Sequence, residues 1–185
     1  MTCPTHPLLS SAGACPICPA RRAALSIAAI ARRELRRRAA LAELARRSFA
    51  AFAKQAWPVL HPGLRLYWGW HMQAICDHAQ AVVEELLHAR ADESYEMAWN
   101  KLLVNVPPRS AKSVLVAVLL PAWLWLLDPT LKIRVVSGHE KLSLKHSGYL
   151  RDLLASAWFR DTFGVGWRVR EDRDAAGLFQ NTERG

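Results

Sequence analysis

The stretch VNVPPRSAKSVLVAVLLPAWLWLL, residues 104–127, decides how this chain is expected to fold. A β-type run ending at Val106 meets two prolines, then a short basic turn, and then an apolar run that suits a buried helix. A strand, a turn with adjacent lysine and serine, and a helix form the layout of a phosphate-binding loop. The stretch predicts either such a loop or a plain strand-to-helix connection with Lys112 in solvent.

The elements around this stretch predict a mixed α/β domain. Apolar residues at three- and four-residue steps indicate helices, and short runs rich in β-branched residues indicate strands. The predicted helices are 70–89, 113–127 and 142–155, and the predicted strands are 101–106, 132–137, 167–170 and 178–181. A strand, a helix and a second strand in this order make a βαβ unit, which implies a parallel sheet.

The loop chemistry follows from the residue types at its end. In a phosphate loop, backbone N–H groups wrap the β-phosphate at the start of a helix. A lysine then reaches the β/γ-phosphates and the next hydroxyl ligates magnesium, roles that Lys112 and Ser113 fit. The usual glycines are replaced by Val106 and Ala111. If position 111 requires a positive φ, alanine costs on the order of 1 kcal/mol and weakens nucleotide binding.

Charge and composition divide the chain into three expected regions. Residues 1–20 are a Cys/His-rich tail, residues 21–56 a basic helical segment, and residues 57–185 the α/β domain. Residues 1–50 hold nine arginines and two glutamates, whereas the remaining 135 residues hold 16 basic and 14 acidic side chains. The excess positive charge therefore belongs to the long basic helix. This asymmetry of charge favours nucleic acid or another acidic molecule as a partner.

Neither a membrane span nor a secretory leader is indicated. The longest uncharged apolar run, residues 114–127, has fourteen residues and is interrupted by Pro121. A membrane span needs about 20 such residues. No charged-then-apolar leader opens the chain, so a cytoplasmic protein is expected.

The N-terminal tail carries a candidate zinc site. Cys3, His6, Cys15 and Cys18 form the pattern C-x2-H-x8-C-x2-C. Two close ligand pairs joined by a short loop suit tetrahedral zinc, and a reducing compartment favours zinc over a disulfide. The alternative is a tail whose cysteines bind nothing. Cys76, which stands alone in a predicted helix, is expected to be a core residue.

The stretch LLVNVPPRSAKSVLV, residues 102–116, resembles the loop of phage terminase large subunits, the ATPases that package DNA into capsids. That family's loop commonly reads Pro-Pro-Arg-x-Gly-Lys-Ser. YWGWHMQAI, residues 67–75, is similar to the family's aromatic-His element. The stretches 132–154 and 178–185 resemble its second strand with the following helix and a later strand. The likeness covers roughly residues 60–185, and Ala111 departs from it where the family has glycine.

The resemblance implies a partial, truncated P-loop NTPase-like sheet that binds ATP and Mg²⁺. Lys112 and Arg109 would be the catalytic residues, with the arginine sensing or stabilising the γ-phosphate. The implied nucleotide-binding set is Pro107, Pro108, Arg109, Ser110, Ala111, Lys112, Ser113 and Val114 in the loop, with Trp70, His71 and Gln73 on the adenine side. Trp70 and Met72 have a simpler alternative role, which is to pack the first helix. The implied partners are double-stranded DNA, the small terminase subunit and the portal, in the cytoplasm of a bacterial host cell.

The acidic elements of a motor are missing from the sequence. Phosphoryl transfer needs a carboxylate for magnesium after an apolar strand and a glutamate that orients water. Asp128 and Glu140 are the nearest candidates, and both stand in the wrong context. The Walker B element, the catalytic glutamate and the nuclease domain are not found, so the chain reads as the first part of a phage or prophage terminase and not as a competent motor. The alternatives are a noncatalytic zinc/arginine-rich nucleic-acid-binding protein with a vestigial P-loop, or a P-loop protein of another kind such as a helicase remnant.

Overall fold

The computed structural model describes the backbone of residues 19–175 and 178–185, and the side chains of residues 27–170 and 178–185. The predicted zinc ligands Cys3, His6, Cys15 and Cys18 lie outside the described residues. The chain divides into two compact units, residues 1–41 and residues 42–185. None of the helices in the described ranges combines the length and the apolar character that a membrane span requires.

Helices dominate the described part of the chain and account for 62% of it. They are α1 (Pro19–Arg47), α2 (Phe49–Leu60), α3 (Trp70–Ala91), α4 (Lys112–Val114), a π-helical turn (Leu115–Leu119), α5 (Leu120–Leu127), α6 (Glu140–Ala155) and α7 (Ala157–Phe163). The α4, π-helical and α5 stretches follow one another directly, and we call them together the loop helix. The three helices predicted from apolar periodicity are confirmed, with ends that differ by one or two residues.

The predicted parallel sheet is wrong. Across the described residues there is one sheet, a two-stranded antiparallel pair of β1 (Val169–Ala175) and β2 (Leu178–Asn181). The β-type runs 101–106 and 132–137 are extended on either side of the loop helix, but neither pairs with another strand. A strand is completed by hydrogen bonds to a neighbouring strand. The described residues supply no neighbour to either run, so the P-loop NTPase-like sheet does not form.

The core of the second unit is built around the loop helix. Its residues Leu115, Val118, Leu119 and Ala122 are fully buried, at the three- and four-residue steps of one helical face. Trp123 lies beside them, and its indole nitrogen donates a hydrogen bond to the carbonyl oxygen of Ala45 at 2.9 Å. Burial of each large apolar side chain contributes about 1.5–3 kcal/mol. This packing fixes the helix whose first turn ends the predicted phosphate loop.

The π-helical turn ends two residues before Pro121, the proline of the loop helix. Pro121 has no N–H and cannot complete the regular hydrogen-bond ladder, and its ring crowds the carbonyl four residues earlier. The π-helical turn Leu115–Leu119 covers that earlier position. Single π-helical turns of this kind occur mostly inside α-helices and often near functional sites.

The basic helical segment predicted at 21–56 is interrupted at Ser48. Its hydroxyl accepts a hydrogen bond from the N–H of Ala51 at 3.3 Å and so caps α2. The apolar face of α2, including Phe49 and Phe52, is buried in the second unit. On α1 the described arginines Arg32, Arg33, Arg36, Arg37 and Arg38 are exposed.

Candidate functional site

The loop between Val106 and the loop helix is a tight turn with an unusual backbone. Among the described residues, three non-glycine residues have a positive φ, and two of them, Arg109 (65°) and Ala111 (60°), lie in this loop. The Ser110 hydroxyl donates to the carbonyl oxygen of Pro107 at 2.7 Å and ties the turn together. Position 111 therefore does require the left-handed conformation that a glycine would adopt without strain.

The loop helix begins with free backbone donors. Its first hydrogen bond joins the N–H of Leu115 to the carbonyl oxygen of Ala111 at 3.0 Å. Within the described part of the chain, the N–H groups of Lys112, Ser113 and Val114 have no partner. Unpaired N–H groups at a helix start attract anions, because they add to the positive end of the helix dipole.

A cleft of about 680 Å³ lies beside the loop, and we call it the aromatic cleft. It brings the loop residues Pro107 to Ala111 together with Trp70 and His71, the first two residues of α3. The remaining lining residues are Trp57, Arg65, Leu66, Tyr67, Met72, Asn105 and Val106. Two of the three residues predicted for the adenine side therefore share a cleft with the loop.

The chemistry of the aromatic cleft suits a flat anionic ligand. Trp70 and Tyr67 are 83% and 79% exposed, so their rings are open to stacking. The guanidinium of Arg65 lies 5.6 Å from the Tyr67 ring centre, and Arg109 is exposed on the loop. No carboxylate is among the lining residues. The indole nitrogen of Trp57 is buried without a hydrogen-bond partner in the described structure, which leaves one donor unsatisfied at the cleft.

Gln73 does not join this site. Its side-chain oxygen accepts from the indole nitrogen of Trp68 at 2.9 Å and from the Lys54 ammonium at 3.3 Å. Its side-chain nitrogen donates to a carboxylate oxygen of Asp77 at 2.8 Å. These contacts engage both ends of the amide, and Gln73 is not among the residues that line the aromatic cleft.

Lys112 and Ser113 line a different cleft of about 500 Å³, which we call the apolar cleft. It lies between the extended runs 101–106 and 132–137, with the loop helix contributing to its lining. Val114, the last residue of the predicted set, is half-buried and packs against the core. The loop thus runs between two clefts, with Arg109 at the first and Lys112 at the second.

Sequence reasoning missed Arg65 and Tyr67, which line the aromatic cleft. The signal is present in the sequence: RLYWGWH, residues 65–71, places a basic residue among closely spaced aromatics. Such interleaving is typical of surfaces that stack bases and neutralise phosphates.

Magnesium has one candidate protein ligand, the exposed hydroxyl of Ser113. No group of three His, Cys, Asp or Glu side chains that could hold a metal exists among the described residues. Magnesium is usually held by one or two protein oxygens plus substrate phosphates and waters, so Ser113 fits an ion that arrives with a nucleotide. Asp128 is engaged elsewhere: Arg90 donates to it at 2.9 Å and the Thr130 hydroxyl at 2.6 Å. Burial raises the pKa of Asp128, but these partners outweigh burial and hold it below its usual value.

Comparison with protein-family models, with curated proteins and with solved structures returned no match for this chain.

Proposed function

We propose that the chain binds ATP with magnesium at the loop 107–113, as the N-terminal ATP-binding part of a phage or prophage DNA-packaging terminase large subunit. One structural observation supports the proposal of a nucleotide site. A loop with two left-handed residues, Arg109 and Ala111, leads into free helix-start donors beside a cleft that holds two arginines and no carboxylate. The resemblance of the residues PPRSAKS supplies the terminase assignment.

The nucleotide lies across the loop in this proposal. The base stacks on the exposed rings of Trp70 and Tyr67, since base–aromatic stacking contributes about 1–3 kcal/mol per base. The phosphates then meet Arg109 and the free N–H groups at the start of the loop helix. Beyond the loop they reach the ammonium of Lys112, whose flexible stem lets it turn towards them.

Magnesium supplies charge neutralisation of the β- and γ-phosphates when it is bound with the nucleotide. In this proposal, Ser113 holds the ion through its hydroxyl and the phosphates provide other ligands. Neither described cleft has a carboxylate in its lining to orient an attacking water. The chain is therefore proposed to bind ATP without efficient turnover, in the cytoplasm of a bacterial host, with DNA, the small subunit and the portal as partners.

A second candidate function rests on the exposed arginines of α1. Arg37 and Arg38 are paired with Glu34, whereas Arg32, Arg33 and Arg36 are exposed and have no ion pair within the described residues. In this alternative the chain is a noncatalytic nucleic-acid-binding protein with a zinc tail and a vestigial loop. Each phosphate contact would add about 0.9 to the slope of log affinity against log salt for duplex DNA.

Binding of a fluorescent ATP analogue to the full chain tests the proposed nucleotide site. Lys112→Ala should weaken binding by roughly ten- to a hundredfold, because a charge-assisted phosphate contact contributes about 1.5–3 kcal/mol. Trp70→Ala should weaken it by a similar factor through lost stacking. Lys132→Ala and Trp99→Ala are the matched controls, since both side chains are exposed and line neither cleft.

Two results would contradict the nucleotide site. The first is the absence of ATP binding, and the second is binding that the loop variants and the controls affect equally. Duplex DNA binding that disappears on replacing Arg32, Arg33 and Arg36 by alanine, in a chain that does not bind ATP, would favour the alternative function.

A further inference from the structure

The two extended runs on either side of the loop helix share one cleft. Leu102 and Val104 from the first run, and Ile133 and Val135 from the second, line the apolar cleft of about 500 Å³. The loop helix and α6 contribute further apolar lining through Val116, Ala117, Leu120, Pro121, Leu124 and Leu142, and His146 of α6 also lines the cleft. The cleft is thus an apolar slot bordered along two sides by extended backbone.

The backbone of both runs is unpaired. No N–H or C=O group of residues 101–106 or 132–137 makes a backbone hydrogen bond within the described structure. Extended backbone with free donors and acceptors is a template for pairing with another strand. Recognition by strand addition uses such an edge: main-chain hydrogen bonds give affinity and adjacent pockets select side chains.

Apolar side chains of the runs 101–106 and 132–137 are also left exposed to solvent. Val136, which lines the apolar cleft, is 82% exposed although it is a large apolar residue. Leu102 and Val135 are each 40% exposed. Contiguous exposed apolar residues on a monomer mark sites of interaction with other proteins.

The charge around the slot specifies its occupant. Arg134 lines it, Lys101 and Lys132 begin the two runs, and no acidic side chain is among the described lining residues. Complementary charge steers association and suppresses wrong partners. A segment with apolar residues at alternate positions and acidic residues at its flanks matches both the apolar lining and the basic border.

We infer that the apolar cleft is a docking site for an extended, acidic-flanked apolar segment of a partner polypeptide, which enters as a β-strand and pairs with the runs 101–106 and 132–137. The apolar side chains of the entering strand fill the slot. Its main chain satisfies the free donors and acceptors on the two sides. This docking site lies on the Lys112 side of the loop and is independent of base stacking in the aromatic cleft.

Peptide binding to the full chain tests the inference. The probe is a pool of fluorescent peptides of about ten residues, the upper end of ordinary strand lengths, with valine or isoleucine at alternate positions and glutamate at both ends. Fluorescence anisotropy should detect binding. Hydrogen exchange of the amides in both runs should slow when the peptide is present, because the new hydrogen bonds protect them.

Three matched comparisons make the test specific. N-methylation of alternate peptide amides should remove binding, because it removes the main-chain donors. Arg134→Glu should weaken binding by about tenfold or more, as expected for a lost charge-assisted contact. Arg168→Glu, which makes the same charge change at an exposed residue outside the cleft, should leave binding unchanged.

Four results would contradict docking of a partner strand in the apolar cleft. Failure of every peptide in the pool to bind, or equal binding by the N-methylated peptide, would overturn the inference. Self-association of the chain that Arg134→Glu abolishes would assign the cleft to a second copy instead. Displacement of the peptide by ATP in the Trp70→Ala variant would assign the apolar cleft to the nucleotide.

Discussion

Replacement of Ala111 by glycine tests whether the left-handed loop is strained. Ala111 has φ 60° and ψ 5°, a conformation that costs a non-glycine residue about 1–2 kcal/mol. Glycine removes that strain but loses about 0.4–1 kcal/mol through the greater freedom of the unfolded chain. It also loses the half-buried Ala111 methyl, a fraction of the roughly 0.8 kcal/mol that a fully buried carbon contributes. With about half of the methyl contribution lost, the net effect on the free energy of unfolding lies between a loss of about 0.4 and a gain of about 1.2 kcal/mol, centred on a gain of about 0.4 kcal/mol.

The matched control is Ala81→Gly, on an exposed position of α3. There the same substitution should lower the free energy of unfolding by about 1 kcal/mol, because glycine is unfavourable inside a helix. Urea denaturation should therefore rank Ala111→Gly as more stable than Ala81→Gly by about 1 kcal/mol or more, a difference of about 2–4 °C in Tm for a chain of this size. Equal destabilisation by both substitutions would refute the strained loop.

The ATP affinity of Ala111→Gly shows whether the strain at position 111 reduces the stability of the fold or the affinity for nucleotide. The left-handed conformation already exists in the protein without nucleotide, so its cost falls on folding. The expectation from the sequence that alanine weakens nucleotide binding is revised accordingly. Ala111→Gly should change the affinity for ATP by less than about threefold, which corresponds to about 0.6 kcal/mol. An affinity gain of about tenfold would mean that the free loop differs from the bound loop and that binding itself carries the strain.

The remaining predictions concern turnover, zinc and two titrating groups. ATP hydrolysis by the purified chain should not exceed that of Lys112→Ala, and sustained turnover that is lost in that variant would contradict the proposal that ATP binds without efficient turnover. Metal analysis without chelator should find about one zinc per chain, lost on replacing Cys15 and Cys18 together by serine. Burial raises the pKa of the Cys76 thiol to about 12, so peptide mapping after alkylation at pH 8 should find it unmodified until the protein is unfolded. Burial, with the nearby Lys145 charge, lowers the pKa of His146. His146 therefore binds a proton more tightly in the unfolded chain than in the folded one. The free energy of unfolding should fall as pH drops below about 6.5, and it should fall less steeply in His146→Gln.

The helices could be predicted from the sequence because their signal is local. Apolar residues at helical steps predicted α3 and α6, and both formed within one or two residues of the expected ends. The loop backbone at Ala111 was also foreseeable, because the position corresponds to a glycine in the resembling family. These features depend on a few neighbouring residues and not on the rest of the chain.

The sheet could not be predicted in the same way, because pairing of strands is not local. The runs 101–106 and 132–137 have the β-branched composition of strands and are extended, yet composition says nothing about whether a neighbour is present. The aromatic cleft depends on how Trp70 comes to face a loop more than thirty residues later. The placement of Tyr67 and Arg65 at this cleft depends on the same non-local packing, so the pattern RLYWGWH alone does not assign them to it.

The π-helical turn makes the length of the loop helix as important as its composition. Each residue of an α-helix turns the following face by about 100°. The wider turn at Leu115–Leu119 therefore sets the angular phase between the loop end at Lys112 and the buried end at Trp123. One residue removed from this turn could restore a regular helix, but it would turn either Lys112 away from its cleft or Trp123 away from Ala45. Single-residue insertions and deletions here should therefore be tolerated far less than substitutions of similar volume.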